Sequence, residues 1–178
     1  MRELRIVLTK SKKKIAIGSW VIRTYTGEKY SHCARGLTVY GDIDMYYQAS
    51  EGKVNYENSK VFLKKHEVVE EYVLSIPDEC YLEMSRACLE DAGVVYGTAQ
   101  NLGIVYVHLM SKAFGKEVDN PWKKGRNCSE LIYVDVFSNM FDDLKYNKDT
   151  IMPSDIKKII LDRFEEKDGI WIPKADLD

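Results

Sequence analysis

The sequence predicts an α+β fold in which a small antiparallel β-sheet packs against helices. Extended segments rich in β-branched and aromatic residues are grouped in the first half of the chain, and helical segments follow them. This grouping favours an α+β domain over alternating strand–helix units. A length of 178 residues suits one domain, and no repeat or low-complexity linker divides the chain. We therefore expect a single domain over residues 1–178.

The expected strands are short apolar or alternating segments. They cover residues 4–8, 32–40, 43–49, 53–56 and 66–76. The pair Gly41-Asp42 suits a tight hairpin turn between the second and third of these strands. A short helix that ends at Gly27 is expected between the first two strands.

The expected helices show apolar residues at helical spacing, and Gly or Pro marks several of their ends. They cover residues 78–92, 98–113, 128–140 and 153–164. The segment 115–125 between the second and third of them is a polar loop. These helices provide enough apolar faces to cover a sheet.

Composition and charge exclude several classes of protein. The net charge of −2 gives no electrostatic basis for binding nucleic acid. No apolar segment is long enough to predict a membrane-spanning helix, and the N-terminal segment lacks the features of a signal peptide. The four cysteines lack Cys-x-x-Cys spacing, which favours reduced thiols in a cytoplasmic protein over disulfides or a zinc site. We expect no metal and no cofactor.

The segment "NCSELIYVDVF" at 127–137 places Cys128 in the first turn of a helix, with Asn127 as the N-cap. Free N–H groups and the positive end of the helix dipole favour a thiolate there and could hold a developing oxyanion. A buried thiol without chemistry is the alternative. Among the three histidines, His32 at the start of a strand is the best candidate for a general base, since a strand-borne imidazole facing a helix-start cysteine is the papain arrangement.

Together, "YSHCARGL" at 30–37 and "NCSELIYVDVF" resemble the circularly permuted NlpC-type papain-like hydrolases, the group of the lecithin:retinol acyltransferase relatives. In that group the histidine strand precedes the cysteine helix. The segments "YYQASEGKV", "LEDAGVVYGTAQNLGI" and "MPSDI" are similar to further parts of the family pattern. The resemblance implies a permuted papain-like fold, and a phage or bacterial member of the family is the expected kind of protein.

Carried over to this chain, the resemblance implies that Cys128 is the nucleophile and His32 the general base. The third residue, which orients the imidazole, is Gln48 by position, with Asp44 as the alternative on the same face of the strand. Tyr46 and Trp122 are candidate substrate-binding residues.

The resemblance implies a thiol hydrolase or acyltransferase that cleaves an amide or an ester through a thioester intermediate. The substrate class is a peptide, a cell-wall fragment, a lipid or a protein conjugate. The alternative is an inert member of the fold that acts as a binding or accessory protein. A zinc site built from Cys128, His32 and Cys33 is a third reading, which the absence of a zinc-ligand spacing disfavours.

Overall fold

The computed structural model of the protein describes residues 1–13, 17–39, 41–50, 52–95, 98–115, 118–121 and 125–174. Within these residues the chain forms a seven-stranded sheet and six α-helices. The predicted α+β class is therefore confirmed.

The sheet has the strand order β4-β3-β2-β1-β5-β7-β6. Its strands are β1 (Arg2–Ser11), β2 (His32–Val39), β3 (Ile43–Ser50), β4 (Lys53–Asn58), β5 (His66–Ile76), β6 (Phe164–Lys167) and β7 (Ile170–Pro173). Neighbouring strands are antiparallel, except that β5 and β7 pair in parallel at Leu74 and Trp171. The prediction of a small antiparallel sheet was wrong in size and in this one pairing, because β6 and β7 come from the end of the chain and extend the sheet beyond β5.

The helices are α1 (Ile17–Thr26), α2 (Ser59–Lys65), α3 (Asp78–Glu90), α4 (Thr98–Phe114), α5 (Cys128–Asp135) and α6 (Pro153–Arg163). A 3₁₀ turn at Phe137–Asn139 follows α5, so the helix expected over residues 128–140 is shorter than predicted. The sequence did not predict α2, which has only seven residues. The hairpin between β2 and β3 agrees with the prediction, and Gly41 adopts φ +84°, which glycine tolerates best.

The two faces of the central strand β1 enter different clusters because successive side chains alternate across a strand. Leu4, Ile6 and Leu8 belong to the main core, whereas Val7 belongs to a smaller cluster on the other face with Phe62 of α2. The sheet is thus covered on both faces at its centre. This is why "LRIVL" is apolar at every position except Arg5, which pairs with Asp44.

Helix α5 is the central helix of the main core. Its Leu131 and Ile132 are fully buried together with Ile156 and Ile160 of α6. Burying one such side chain contributes about 1.5–3 kcal/mol, so this packing holds α5 firmly against the sheet. The first residue of α5 is Cys128, and the core therefore fixes the position of that thiol relative to β2.

None of the helices in the described part of the chain is long and apolar enough to cross a membrane.

Candidate active site

His32 is the first residue of β2, and its side chain is 8 % exposed. Its Nε2–H donates a 2.8 Å hydrogen bond to Oε1 of Gln48, which lies on the adjacent strand β3 and is 1 % exposed. With Nε2 engaged in this way, Nδ1 is the ring nitrogen that is left to accept a proton. The histidine is thus held in one orientation and one tautomer by its neighbour on the sheet.

The orientation of the Gln48 amide is itself fixed by a carboxylate. Nε2 of Gln48 donates to Glu57 Oε2 at 2.9 Å, and Lys65 Nζ lies 2.7 Å from Glu57 Oε1. An amide that donates on one side must present its carbonyl oxygen on the other, which here is the side of His32. Glu57 and Lys65 therefore support the orientation of the imidazole from strand β4 and helix α2.

Cys128 occupies the first position of α5 and is 4 % exposed. The side-chain oxygen of Asn127 accepts hydrogen bonds from the backbone N–H groups of Ser129 and Glu130 at 2.8 and 2.9 Å. The predicted N-cap is therefore confirmed. With these two N–H groups capped, the N–H of Cys128 still has no acceptor within its own helix, because the first N–H groups of a helix lack intrahelical partners.

A second thiol lies beside Cys128. Cys33 follows His32 on β2 and is fully buried, and its Sγ lies 3.8 Å from Oγ of Ser129. Sγ of Cys128 lies 3.9 Å from the same hydroxyl. Two thiols and one hydroxyl therefore converge at the start of α5, opposite the imidazole.

This environment shifts the pKa values of the two thiols in opposite directions. A hydrogen bond with Cys33 lowers the pKa of Cys128 well below its ordinary value against the effect of burial, and the charge and hydrogen bond of His32 lower it further. Burial and the charge on Cys128 raise the pKa of Cys33 well above its ordinary value, so Cys33 stays a thiol and can donate a hydrogen bond. The surroundings therefore favour the thiolate form of Cys128 and the neutral form of Cys33.

The pKa of the His32 imidazole shifts in the opposite direction to that of the Cys128 thiol. Burial alone would lower the pKa of His32, but the charge and hydrogen bond of Cys128 outweigh it, and the pKa is raised. Gln48 and the negative charge of Glu57 act in the same direction. A raised pKa on the imidazole beside a lowered pKa on the thiol is the signature of a thiolate–imidazolium pair.

One face of the His32 ring is covered by an aromatic stack. The rings of His32 and His66 are stacked with centroids 4.9 Å apart, and Phe62 lies on the far side of His66 at 4.6 Å. Tyr46 continues the stack against Phe62 at 4.1 Å. The stack keeps solvent from that face of His32 and restricts rotation of the ring.

Cys128 lines a narrow, mostly apolar slot of about 10 Å³, which has room for about one water molecule. Its apolar lining comes from Ile22 of α1, Ile104 of α4 and the segment that leads into α6. Asn127, Ser31 and Ser129 provide the polar part of the lining. The slot therefore places the Cys128 side chain between apolar and polar lining residues.

A charged cluster anchors the chain next to Asn127 and Cys128. Arg126 pairs with Asp91 and, at 2.9 Å, with Asp135 at the end of α5. Tyr47 donates to Asp135 at 3.2 Å. Burial raises the pKa of Asp135 to about 6, although Arg126 acts in the opposite direction. The cluster binds the two ends of α5 together and holds Asn127–Cys128 in place.

The structure brings the three preferred catalytic candidates together and places the alternative, Asp44, elsewhere. His32, Cys128 and Gln48 lie together. Asp44, the alternative to Gln48, instead accepts hydrogen bonds from Arg5 and Thr38, both at 2.8 Å, away from the imidazole.

The two candidate substrate-binding residues have a different standing. Tyr46 is buried and stacks on Phe62, and its role in substrate binding stays a prediction. Trp122 lies outside the described residues.

Sequence reasoning missed Glu57, His66 and the role of Cys33 beside the nucleophile. Glu57 and His66 reach the site only through strand pairing and helix packing, and no local motif marks them. Cys33 adjoins His32 in "SHCARGL", but the residue next to a histidine on a strand faces the opposite side unless the backbone is irregular. The neighbouring strand β1 is irregular at this point. Its pairing with β5 shifts register between Leu8 and Thr9, and Thr9 is the residue that pairs with His32.

No family model matches the sequence, and no curated protein matches it either. Over the described residues, no group of three or more His, Cys, Asp or Glu side chains is arranged to hold a metal ion.

Proposed function

We propose that the protein is a thiol hydrolase or acyltransferase that cleaves an amide or an ester through Cys128. The observation that carries this proposal is the pairing at the start of α5: a helix-start thiol with a lowered pKa beside an imidazole whose other nitrogen is held by Gln48 at 2.8 Å. The order of histidine strand before cysteine helix also agrees with the permuted papain-like arrangement, which we propose as the finer description of the fold.

In the first half of the reaction, the Cys128 thiolate attacks the carbonyl carbon and the C=O electron pair moves onto the oxygen. The tetrahedral intermediate then collapses, restoring the C=O bond and breaking the bond to the leaving group. The His32 imidazolium gives its proton to that leaving group, which departs as an amine or an alcohol. A thioester on Cys128 and a neutral imidazole are left.

In the second half, water or another acceptor attacks the thioester carbonyl, and neutral His32 takes the proton of the acceptor. Collapse breaks the carbon–sulfur bond, returns the thiolate and releases the acyl product. Gln48 keeps the imidazole aligned through both halves, and the aromatic stack on His66 keeps its face dry.

The protonation states set the expected pH dependence. The rate falls as the pH drops through the lowered pKa of Cys128, because the thiolate is lost. It falls again as the pH rises through the raised pKa of His32, because the imidazolium that protonates the leaving group is lost. A bell-shaped profile between these two values is therefore expected.

The decisive experiment is the rate of iodoacetamide labelling at Cys128 against pH, read by peptide mass mapping, in wild type and in His32→Ala. We expect a labelling pKa well below the free-cysteine value of about 8.5, which moves upward when His32 is removed. His108→Ala is the matched control, since His108 bonds to the Thr150 carbonyl rather than to Cys128 or Gln48, and its removal leaves the labelling pKa unchanged.

Slow labelling with an ordinary or raised pKa in both wild type and His32→Ala contradicts the proposal. Cys128 is then a packed thiol, and the protein is better sought as a binding or accessory protein.

A further inference from the structure

Asn127 has a buried amide nitrogen whose hydrogen bonds are unaccounted for. The side chain is 1 % exposed, and its Nδ2 has no hydrogen-bond partner among the described residues. Buried polar atoms are nearly always paired, and an exception calls for an explanation such as a catalytic role or an absent ligand.

The orientation of the Asn127 amide follows from its neighbours. Two backbone N–H groups, those of Ser129 and Glu130, point at one end of the amide at 2.8 and 2.9 Å, so that end must be the oxygen. The nitrogen is then directed away from the helix. Its two N–H donors are free of the capping interaction that fixes the rest of the side chain.

The unpaired nitrogen belongs to a side chain that lines the same slot as the nucleophile. Asn127, Ser31 and Ser129 form the polar part of the lining beside Cys128, and apolar residues of α1, of α4 and of the segment that leads into α6 form the rest. A carbonyl oxygen brought to the sulfur comes close to these polar side chains. The hydroxyl of Ser31 is engaged with Ser19, and that of Ser129 lies beside the two thiols, whereas Nδ2 of Asn127 has no partner among the described residues.

We propose that Asn127 is a catalytic residue whose Nδ2–H stabilises the oxyanion formed when Cys128 attacks a carbonyl. This inference rests on the proposed function of the same site. One side chain then performs two tasks: its oxygen caps α5, and its nitrogen binds the negatively charged oxygen together with the N–H of Cys128. The donor is held in place before the reaction, which is what makes oxyanion stabilisation effective.

The test compares two reactions of the same sulfur. Alkylation by iodoacetamide displaces iodide at a saturated carbon and forms no oxyanion. Acylation by p-nitrophenyl acetate passes through a tetrahedral oxyanion and releases p-nitrophenolate, which is read by its absorbance. The ratio of the two rate constants at one pH, above the thiolate pKa of each variant, isolates oxyanion stabilisation from any change in thiolate content.

Asn127→Asp is the main variant because it keeps the shape and the capping oxygen and removes the donor. Asn127→Ser is the uncharged second variant and also retains a capping oxygen. We expect the acylation-to-alkylation ratio to fall in both variants, by on the order of 10²-fold, as for removal of one oxyanion donor elsewhere. Asn58→Ser is the matched control, since Asn58 caps α2 in the same manner and its substitution leaves the ratio unchanged.

Two outcomes overturn the inference, and they differ in what they say of the proposed function. A ratio within about threefold of wild type in both variants, with wild type reacting in both assays, rejects the role of Asn127 and leaves the Cys128–His32 proposal standing. A wild type that neither acylates nor shows a lowered labelling pKa rejects both. Thermal unfolding of each variant, compared with Asn58→Ser, separates loss of the helix cap from loss of the donor.

Discussion

Two buried cysteines of this protein, Cys88 and Cys128, each have a cationic or potentially cationic neighbour, and their acidities move in opposite directions. Cys88 lies in α3 and accepts a 3.2 Å hydrogen bond from Nη1 of Arg35. Burial nevertheless raises the pKa of Cys88 to about 11. The pKa of Cys128, which is buried to a similar degree, is lowered well below its ordinary value.

The difference lies in what surrounds each sulfur. The positive charge of Arg35 is opposed at Cys88 by the nearby carboxylates Asp135 and Asp91, which raise the thiol pKa again. Cys88 also lies within its helix, where the backbone N–H groups are already bonded to carbonyls. Cys128 has a thiol donor in Cys33, an imidazole in His32 and a backbone N–H donor, again from Cys33.

The comparison teaches that burial beside a cation does not by itself produce a reactive thiol. Burial favours the neutral form, and it is overcome only where several donors converge on the sulfur and no carboxylate competes. Substitutions at the two cysteines and around Cys128 test this conclusion, beginning with the largest effect.

Replacing the two sulfurs separately gives the largest contrast. Cys128→Ser removes the nucleophile, and we expect the release of p-nitrophenolate from p-nitrophenyl acetate to fall by at least about 10³-fold, since a nucleophile acts as part of a unit. Cys88→Ser is expected to leave that rate within about twofold of wild type, because the Cys88 thiol is neutral and remote from the slot. Equal losses in the two variants would show that the reactive sulfur has been misassigned.

Removing the acceptor that holds the imidazole gives an intermediate effect. Gln48→Leu leaves His32 without a partner for Nε2, so we expect acylation to fall roughly 10- to 100-fold, within the range that a positioned acid–base group contributes. Asp44→Asn on the same strand is the matched control and changes the rate little, because Asp44 bonds to Arg5 and Thr38. A greater loss in Asp44→Asn than in Gln48→Leu would contradict the role of Gln48.

Removing the second thiol gives the smallest effect. Cys33→Ala deletes a donor to the thiolate, and a hydrogen bond to a charged group contributes about 1.5–3 kcal/mol. We expect the labelling pKa of Cys128 to rise by about one to two units. Cys33→Ser restores a donor and part of the shift, while Cys80→Ala in α3 has no effect. The measurement is iodoacetamide labelling against pH, and an unchanged pKa in Cys33→Ala means that His32 and the helix start are sufficient.

Much of the fold could be predicted because its signals are local. The β2–β3 hairpin follows from two extended segments around Gly41-Asp42, and α6 follows from Pro153 and an apolar stripe. Strand β7 could not be predicted in this way, because it has only four residues and gains its place by pairing with β5, far away in the sequence. Strand order and the parallel pairing are properties of the packed chain, which periodicity does not encode.

The candidate site likewise has residues that the local sequence predicts and residues that only the packed chain brings together. The cap at Asn127 and the thiol at Cys128 are marked by neighbouring letters of the sequence. The choice between Gln48 and Asp44 was left open because alternation places both on one face of β3, and it depends on where His32 lies across the sheet. Glu57 reaches Gln48 from the next strand, and only the structure shows that contact.

The position of the nucleophile late in the chain has a consequence for the nascent protein. His32, Gln48 and Glu57 all belong to the meander β2–β3–β4, whose contacts are local in sequence and can form early during folding. Cys128 joins them only when α5 docks on this meander, after a further 70 residues of chain have been made between Glu57 and Cys128. Until then its thiol keeps the low reactivity of an ordinary cysteine. On the proposed function, the thiol of Cys128 therefore becomes reactive only when the fold is complete, and a misfolded chain carries no activated thiolate that could react with other molecules in the meantime.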